Sequence, residues 1–544
     1  MQAKPVFIDQ AFRQSAAQRP THTALIFLGE KYSYARLNEM INRVAGSLYH
    51  HGVRPGDRIS IYAPHCPQWI VAWLAIQRLG AVAIPVTHFY GPKDLLYIVN
   101  DSGAQTIFCM DTNFGYVDKI AADTGLQRII VSSLADLLPA WKKAVGRLLD
   151  RIPTGKYDIQ RPNVLTFRSL LTANTSVPEL SLTGEEIAEM LYTGGTTGYP
   201  KGVPISNALL LESSGEQRDT STSLISLGED IVLQGAPLNH ILGQVVGFGA
   251  LFSGETLVLL PKMSLDAVFD HILRYKVKTF LGTPTMYRMI LEHDRLDQYD
   301  LSSLKYLFCG GDVLPQEIAN RWLKRFGVPL YQGYGATETC GGVALTRPDA
   351  QVPMGTAGKI VSFQKVMLVN PDTLEEAAPG EPGELLVSSQ NMVRGYWNKP
   401  EETSAHFVEL DGQLWYVTGD IVRIDDKGWM FFLDRSVDVI KHKGYRVAAS
   451  KVDSILQEHP AVVAASTVGI PDSAVGERIK SFVVLKKDIK GVSAYELIRW
   501  CKERLASYEV PAYIEFRDML PKSKVGKILR RELRDEERLK GEVS

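Results

Sequence analysis

The segment whose residue types best suit chemistry is Leu191–Val203, which reads Leu-Tyr-Thr-Gly-Gly-Thr-Thr-Gly-Tyr-Pro-Lys-Gly-Val. Its glycines let the backbone approach a ligand and point N–H groups towards it, while the threonine hydroxyls add contacts and Lys201 adds a positive charge. It is not a Walker A loop, because Pro200 stands where that motif has its second glycine and Gly202 where it has the Ser or Thr that binds magnesium. These residues predict a loop that binds phosphate groups.

Alternating strands and helices must position this loop. Short apolar runs predict buried strands, and amphipathic stretches between them predict helices, which is the pattern of a parallel sheet in an α/β protein. The predicted strands are Arg58–Tyr62, Ala83–Val86, Thr106–Cys109, Arg128–Val131, Ile231–Gln234 and Thr256–Leu260, and the predicted helices are Pro67–Leu79, Ser264–Tyr275 and Pro315–Phe326.

The last fifth of the chain differs from the rest and has the size of one small domain. From about Asp434 it becomes more basic and more compactly α+β. Its predicted helices are Val447–His459 and Ala494–Leu505, and its predicted strands are Val462–Ile470 and Ser481–Lys486. We therefore expect an α/β protein with a large N-terminal domain of layered α/β subdomains, residues 1–434, and a small α+β C-terminal domain, residues 435–544.

Composition excludes several classes of protein. The 544 residues carry 60 basic and 61 acidic side chains, without the basic excess that is typical of a nucleic-acid binder. The most apolar stretch, Trp69–Val86, is interrupted by Gln77, Arg78 and Gly80 and is a poor membrane-spanning helix. Five scattered cysteines without a CxxC pair argue against a disulfide framework or a structural zinc site. Since residues Met1–Phe12 do not resemble a signal peptide, we expect a cytoplasmic protein with reduced thiols.

One segment, Leu134–Pro153, has the pattern of an amphipathic basic helix. Apolar residues from Leu134 to Ile152 recur at helical spacing, and Lys143, Arg147 and Arg151 fall every fourth residue on the other side. Such a helix either packs its apolar face on its own domain or lies on an anionic membrane surface. Both alternatives stay open, so peripheral membrane association is one of the two expectations.

Further motifs follow the loop in a fixed order: Gly310-Gly-Asp312, Tyr331-Gln-Gly-Tyr-Gly-Ala-Thr-Glu338, Thr418-Gly-Asp420, Asp434-Arg435, Lys441–Gly444 and Pro521-Lys-Ser-Lys-Val-Gly-Lys527. Over nearly the whole chain this order resembles the adenylate-forming superfamily, which includes acyl-CoA synthetases, aryl-CoA ligases, beetle luciferases and the adenylation domains of peptide synthetases. The resemblance is closest to fatty acyl-CoA ligases. It implies a C-terminal domain that moves during the reaction.

The resemblance implies a site for ATP and Mg²⁺. Glu338 supplies a hard oxygen for the metal, with Thr193 as a second metal contact, and Asp420 accepts hydrogen bonds from the ribose hydroxyls. The cation of Lys527 neutralises charge as a carboxylate attacks phosphorus, and Gly444 borders the channel for coenzyme A. The residues implied to bind nucleotide or coenzyme A are Thr193, Gly194, Gly195, Thr196, Thr197, Lys201, Gly310, Gly311, Asp312, Gln332, Gly333, Tyr334, Gly335, Thr337, Glu338, Asp420, Arg435, Lys441, Gly444 and Lys527.

The implied reaction has two halves. A carboxylate attacks the α-phosphorus of Mg·ATP, which expels pyrophosphate and forms an acyl-adenylate, and the thiol of coenzyme A then displaces AMP. No nucleophilic side chain is required, so catalysis consists of positioning and charge neutralisation. The residues implied to be catalytic are Lys527, Lys201, Thr193, Glu338 and His240.

The acid pocket is implied by Pro237-Leu-Asn-His240, in which His240 gates the entrance. The residues implied to line the pocket are His240, Gly243, Gln244, Gly247, Thr283, Gly341 and Gly342. Small residues without a fixed charge favour an aliphatic acid over an amino acid. A medium- to long-chain fatty acid is the first expectation and a benzoate- or coumarate-like aryl acid the second. An adenylating enzyme with another acceptor and a silent nucleotide-binding protein remain alternatives.

The sequence departs from the family pattern at a few positions. Gly195 replaces a usual Ser in the phosphate loop, and Asp312 stands where Ala is more common. The hinge before the C-terminal domain falls at Val437 or Asp438. The expected partners are the acid, ATP and coenzyme A, without nucleic acid; a homodimer is left open.

Overall fold

The chain folds into two compact units, as the sequence predicts. The structure, a computed structural model, describes residues 5–149, 152–158, 161–172, 177–193, 199–348, 351–443, 445–472, 475–486, 491–522 and 528–542. Unit 1 comprises Met1–Leu314, Ile318–Lys365 and Ser388–Tyr416, and unit 2 comprises Pro315–Glu317, Val366–Val387 and Val417–Ser544. The predicted fold class is confirmed, and the boundary between residues 434 and 435 stays a prediction.

The first sheet of unit 1 carries the candidate phosphate loop. Its strands are β3 (Arg58–Tyr62), β4 (Val82–Val86), β5 (Thr106–Met110), β6 (Arg128–Ser132), β7 (Val164–Thr166), β8 (Ile187–Thr193) and β9 (Lys201–Ser206). They lie in the order β7-β6-β5-β3-β4-β8-β9, and every pair is parallel except the β8–β9 hairpin. All five residues of β4 are buried, as expected where helices cover both faces of a parallel sheet.

The second sheet of unit 1 presents the other candidate motifs. Its strands are β1 (Thr23–Phe27), β2 (Glu30–Ser33), β10 (Ile231–Leu233), β11 (Thr256–Leu259), β12 (Thr279–Gly282), β13 (Tyr306–Cys309), β14 (Leu330–Ala336), β15 (Gly341–Leu345) and β16 (Gly358–Ile360). They lie in the order β16-β15-β14-β13-β12-β10-β11-β1-β2, parallel from β14 to β1 and antiparallel at both ends. Strand β19 (Phe407–Leu410) pairs with the start of β20 (Gln413–Ile424).

Two largely buried helices, Pro67–Arg78 and Ile241–Phe252, form the centre of the core of unit 1. The helices of the first part of the chain are α1 (Ile8–Gln18), α2 (Tyr34–His50), α3 (Pro67–Arg78), α4 (Pro92–Ser102), α5 (Phe114–Ala121), α6 (Ala140–Leu148), α7 (Phe167–Thr172), α8 (Asn207–Asp219), α9 (Ile241–Phe252), α10 (Leu265–Tyr275), α11 (Pro284–Leu291), α12 (Gln316–Phe326) and α13 (Pro400–His406). Every residue of α3 is buried, and its Trp73 stacks on Phe248 of α9 with ring centroids 3.8 Å apart. The apolar stretch Trp69–Val86 therefore belongs to the core. Within the described ranges, no helix has the length and apolar character needed to cross a bilayer.

Unit 2 is a smaller α+β unit. Strands β17 (Gln364–Val369), β18 (Gly383–Ser389), β20 and β21 (Trp429–Arg435) lie side by side in that order. A second sheet has the order β23-β22-β25-β24, with β26 on β25, and is formed by β22 (Val439–His442), β23 (Tyr445–Ala448), β24 (Val462–Asp472), β25 (Gly476–Leu485) and β26 (Tyr513–Phe516). The helices of unit 2 are α14 (Ala449–Gln457), α15 (Ala494–Lys502) and α16 (Arg530–Glu542).

Two predicted helices are wrong in extent. Leu134–Pro153 is not one helix, because α6 spans only Ala140–Leu148. Leu138 precedes Pro139, and the proline ring disfavours helical backbone at the residue before it. Val447–His459 begins too early, since Val447 belongs to strand β23. All five cysteines are free and buried, which agrees with the expected reduced thiols.

A cluster of charges ties helix α16 to the rest of unit 2. Arg530 donates to Asp438 Oδ2 at 2.8 Å and to Asp453 Oδ2 at 2.6 Å, and its guanidinium lies 3.5 Å from Asp434 Oδ1. Arg534 also pairs with Asp438. Burial raises the pKa of Asp453 to about 6, although Arg530 opposes the shift. Arg530 thus lies among three carboxylates that are each at most 11% exposed, and Arg534 adds a second cation at one of them, Asp438.

Replacing Arg530 should destabilise unit 2. The change Arg530→Met removes the cation that faces Asp434 and Asp453 and leaves Asp438 paired with Arg534 alone, so we expect the free energy of unfolding to fall by about 3 kcal/mol. The neighbouring pair of Arg531 with Asp535 is about half exposed, so Arg531→Met should change stability by less than about 0.5 kcal/mol. Urea denaturation followed by circular dichroism measures both variants. Equal losses in the two variants would contradict the interpretation.

Candidate functional site

The β8–β9 hairpin holds the two ends of the candidate phosphate loop together. Strand β8 ends at Thr193 and β9 begins at Lys201, and these two residues are register partners. A Cβ atom at Gly202 would lie 2.7 Å from Met190 Sδ, so a larger residue there would have to displace the Met190 side chain. The predicted contacts Gly194, Gly195, Thr196 and Thr197 lie outside the described residues.

Tyr396 connects the loop lysine to the candidate metal-binding carboxylate. Its hydroxyl donates a hydrogen bond to Glu338 Oε1 at 2.8 Å, and Lys201 Nζ lies over its ring, 4.2 Å from the centroid. Tyr396 is only 6% exposed, and burial together with the charge of Glu338 raises the pKa of its hydroxyl, so the hydroxyl keeps its proton. None of the sequence motifs indicated Tyr396 as a site residue. The aromatic pair Tyr396-Trp397 after Gly395 was the available signal.

Asp101 fixes the segment around Tyr396 against the hairpin. Its carboxylate accepts a hydrogen bond from the Tyr192 hydroxyl at 2.7 Å and lies 3.3 Å from Lys399 Nζ. Trp397 donates from Nε1 to the Asp101 carbonyl at 3.1 Å and from its backbone N–H to the Gly202 carbonyl at 2.8 Å. These contacts place the Tyr396 hydroxyl beside Glu338.

Three neighbouring parallel strands bring further candidate residues to one edge of the second sheet. Gly282, Cys309 and Gln332 are aligned across β12, β13 and β14, so the residues that follow them lie next to one another. These residues are Thr283, Gly310, Gly311, Asp312, Gly333, Tyr334, Gly335, Thr337 and Glu338. The carboxyl edge of parallel strands is where open α/β sheets bind ligands.

The glycines of this edge are required by close packing. A Cβ atom at Gly335 would lie 1.9 Å from the Gly341 carbonyl oxygen, and one at Gly333 would lie 2.6 Å from the Phe308 ring. Gly311 has φ +86°, which a side chain would strain. Asp312 is exposed, and its carboxylate accepts a hydrogen bond from the Val313 N–H at 2.8 Å.

His240 stands at the start of helix α9. Its Nδ1 accepts the Leu242 N–H at 3.3 Å, which makes His240 the N-cap of the helix, and its side chain is exposed. The predicted pocket residues Gly243, Gln244 and Gly247 are buried in α9, and a Cβ atom at Gly243 would lie 2.1 Å from the Pro237 carbonyl oxygen. Thr283 caps helix α11, and Gly341 and Gly342 lie on β15. The roles of these residues in acid binding stay predictions.

In unit 2, the candidate ribose residues are register partners. Asp420 of β20 stands opposite Arg435 of β21, with 3.6 Å between Arg435 Nε and Asp420 Oδ1. Thr418 Oγ1 accepts the Asp420 N–H at 3.1 Å and donates to the Leu385 carbonyl at 2.8 Å, which fixes the turn. A carboxylate and a guanidinium held in this way can bind paired hydroxyl groups.

Three other predictions concern unit 2. Lys441 donates its backbone N–H to Glu477 Oε2 at 2.7 Å, and its side chain is exposed. Gly444 and Lys527 lie outside the described residues. The hinge at Val437 or Asp438 stays a prediction, and Asp438 is paired with two arginines of α16.

The residues of unit 1 fit a magnesium–nucleotide complex. Magnesium in phosphate sites is typically held by one or two carboxylates together with phosphate oxygens and water. Within the described part of the chain, no group of three His, Cys, Asp or Glu side chains is arranged as a metal cage. Glu338, oriented by Tyr396 and accompanied by Lys201, suits a metal that arrives with its phosphates.

Comparisons with known proteins agree with this chemistry. Residues 12–397 match the family model of the AMP-binding enzymes, and residues 451–527 match that of the AMP-binding enzyme C-terminal domain. A long-chain-fatty-acid–CoA ligase of Escherichia coli O6:H1 is 32% identical over 97% of this chain and 94% of its own length. A feruloyl-CoA synthase of an Amycolatopsis species is 33% identical over 95% of this chain and 96% of its own length.

The fold has a close counterpart among solved structures. An anthranilate–CoA ligase in complex with anthranoyl-AMP aligns over 99% of both chains with a TM-score of 0.86 and 26% identity. The family model covers well over half of the chain, and the relatives match nearly its full length. The chain therefore belongs to the AMP-binding enzyme family.

Proposed function

We propose that this enzyme converts a medium- to long-chain fatty acid to its coenzyme A thioester. As an AMP-binding enzyme, it is an AMP-forming acid–CoA ligase that uses ATP, Mg²⁺ and coenzyme A. The array of Lys201, Tyr396 and Glu338 is the observation that best supports activation with Mg·ATP. The fatty acid itself is supported by the full-length similarity to a long-chain-fatty-acid–CoA ligase.

In the proposed first half-reaction, the residues position charge. Glu338 holds Mg²⁺, which when bound supplies positive charge to the phosphate oxygens. Lys201 and Lys527 add cationic charge as the acid's carboxylate attacks the α-phosphorus and pyrophosphate leaves. Asp420 and Arg435 hold the ribose. In the second half-reaction the thiol of coenzyme A attacks the acyl carbon and AMP leaves, and the substrates themselves supply both nucleophiles.

An aryl acid is the second candidate substrate. It is favoured by the similarity to a feruloyl-CoA synthase, whose identity to this chain, 33%, is close to the 32% of the fatty-acid ligase. Gly243 and Gly247 are buried by packing within α9, so they do not by themselves decide between an aliphatic and an aromatic substrate.

A substrate panel tests the proposed function. The purified protein is incubated with Mg·ATP, coenzyme A and acids from acetate to palmitate, together with benzoate and coumarate, and AMP release is measured. We expect the highest rate of AMP release with an aliphatic acid of about eight or more carbons. We also expect this release to require coenzyme A. A maximum at an aryl acid would select the second candidate, and AMP release without coenzyme A would point to another acceptor.

The contribution of Tyr396 can be measured directly. In Tyr396→Phe, the ring beneath Lys201 remains but Glu338 loses a hydrogen bond of the charge-assisted kind, worth about 1.5 kcal/mol or more. We therefore expect the Mg²⁺ concentration for half-maximal activity to rise about tenfold. Tyr62→Phe is the matched control, because the Tyr62 hydroxyl bonds the Tyr90 carbonyl at 2.6 Å, away from Glu338. A similar shift in both variants would argue against a specific role for Tyr396.

Peripheral membrane contact is proposed for helix α6. Trp141 is 63% exposed and Leu148 is 85% exposed, while Leu137 and Leu138 before the helix are buried in unit 1. An exposed apolar surface next to the basic side chain of Lys143 suits an anionic bilayer from which the enzyme would collect a poorly soluble acid.

Vesicle binding tests this contact. The double change Trp141→Ser, Leu148→Ser should reduce sedimentation with phosphatidylglycerol vesicles by about tenfold, because two apolar side chains no longer enter the interface. The control is Tyr495→Ser, Met519→Ser, which removes side chains that are 73% and 78% exposed elsewhere. Unchanged binding of the α6 variant would exclude this helix as the contact.

A further inference from the structure

Helix α4 has one face in the core of unit 1 and another towards the ends of the candidate phosphate loop. Leu95, Ile98 and Val99 are buried on the core face. Tyr97 and Asp101 lie four residues apart, so their side chains project from one common face of the helix, away from that core. Substitutions at these two positions therefore leave the apolar packing of α4 in place.

Asp101 contacts the residue that precedes Thr193 at the start of the loop. Its Oδ2 accepts a hydrogen bond from the Tyr192 hydroxyl at 2.7 Å, and its Oδ1 lies 3.3 Å from Lys399 Nζ. The Asp101 side chain is only 9% exposed. Burial and the hydrogen bond to Asp101 raise the pKa of the Tyr192 hydroxyl, so this hydroxyl keeps its proton and donates it to the carboxylate.

Tyr97 contacts the other end of the loop. Its ring stacks on the ring of Tyr199, with centroids 4.4 Å apart and an angle of 17° between the planes. Tyr199 comes two residues before Lys201 and is 55% exposed. Lys399 Nζ also lies 5.7 Å from the Tyr97 ring centroid, within the range of a cation–π contact. The stack therefore restricts a loop side chain that is otherwise largely in solvent.

The backbone of the same helical turn holds a third segment. The Asp101 carbonyl accepts hydrogen bonds from Trp397 Nε1 at 3.1 Å and from Asn398 Nδ2 at 3.4 Å. Trp397 directly follows Tyr396, whose hydroxyl bonds Glu338. One turn of α4 thus contacts the start of the loop, the end of the loop and the segment that orients the candidate metal-binding carboxylate.

We propose that Tyr97 and Asp101 are positioning residues for the phosphates of Mg·ATP. Asp101 acts through Tyr192 at the start of the loop, and Tyr97 acts through Tyr199 at its end. Together they set the place of Lys201 relative to Tyr396, so their loss weakens the binding of Mg·ATP and leaves the binding of the acid unchanged. This inference rests on the adenylation step of the proposed function.

Two substitutions at Tyr97 test the stack. In Tyr97→Phe a ring remains on Tyr199, so the dissociation constant of Mg·ATP should stay within about twofold of the parent value. Tyr97→Leu removes the stacked ring, and the dissociation constant should rise about fivefold. Isothermal titration calorimetry with Mg·ATP, in the absence of acid and coenzyme A, measures both variants.

Tyr299→Leu is the matched control for the loss of a tyrosine ring. Tyr299 is also half-buried in unit 1, but its ring packs on Phe269 of α10, with centroids 4.9 Å apart. We expect this variant to bind Mg·ATP as the parent does. A loss of binding in Tyr299→Leu equal to that in Tyr97→Leu would show a general effect of losing a ring and would overturn the proposal.

A double-mutant cycle tests whether Asp101 acts through Tyr192. Tyr192→Phe and Asp101→Leu each remove their shared hydrogen bond, and each should raise the dissociation constant of Mg·ATP about tenfold. If the two side chains act together, the double variant should bind about as weakly as either single variant, whereas independent effects would multiply to about 100-fold. Independent effects would contradict the assigned route. If Asp101→Leu does not fold, the Tyr97 variants and Tyr192→Phe still decide the proposal.

Kinetics separate positioning from a general loss of structure. Tyr97→Leu and Tyr192→Phe should raise the KM for ATP while the KM for the acid stays within about twofold of the parent value. The proposal is overturned if Tyr97→Leu leaves Mg·ATP binding unchanged, if Tyr97→Phe weakens it as much as Tyr97→Leu does, or if both KM values rise together. If no acid supports AMP release, the proposed function fails, and the calorimetric comparison still decides the role of α4.

Discussion

The register of the β8–β9 hairpin is the constraint on which the candidate nucleotide site of unit 1 depends. Pairing of Thr193 with Lys201 closes the loop at its base, and the next residue, Gly202, accepts the backbone N–H of Trp397. A one-residue slip would turn every side chain of β9 to the opposite face of the sheet. Lys201 would then no longer lie over Tyr396, and the connection to Glu338 would be lost.

Different interactions hold the two sides of the candidate nucleotide site in place. The hairpin side depends on hydrogen bonds and charge, whereas the edge formed by β12, β13 and β14 depends on how closely backbones approach one another. At Gly335 a methyl group would overlap the carbonyl oxygen of Gly341. A glycine there is therefore required by the pairing of β14 with β15.

Much of the fold follows from patterns in the sequence, and the reasons are local. Arg58–Tyr62 is predicted with the observed bounds, because a run of five residues has the length of a strand and is too short for a typical helix. Leu134–Pro153 has helical spacing throughout, yet Pro139 divides it, so periodicity alone overestimates the helix. The burial of Glu189 on strand β8 cannot be predicted in this way, since a glutamate is normally expected at the surface. The roles of Tyr396 and Asp101 cannot be predicted from the sequence pattern either, because their contacts form only when segments distant in the chain come together in the fold.

The contact between Trp397 and Asp101 has a consequence for how the protein is made. The two residues are 296 positions apart in the chain, and the segment Ser388–Tyr416 belongs to unit 1 although the stretch before it belongs to unit 2. A ribosome must synthesise about three-quarters of the polypeptide before Trp397 can bond Gly202 of the β8–β9 hairpin. The nascent protein therefore lacks the contact between Tyr396 and Glu338 during most of its synthesis.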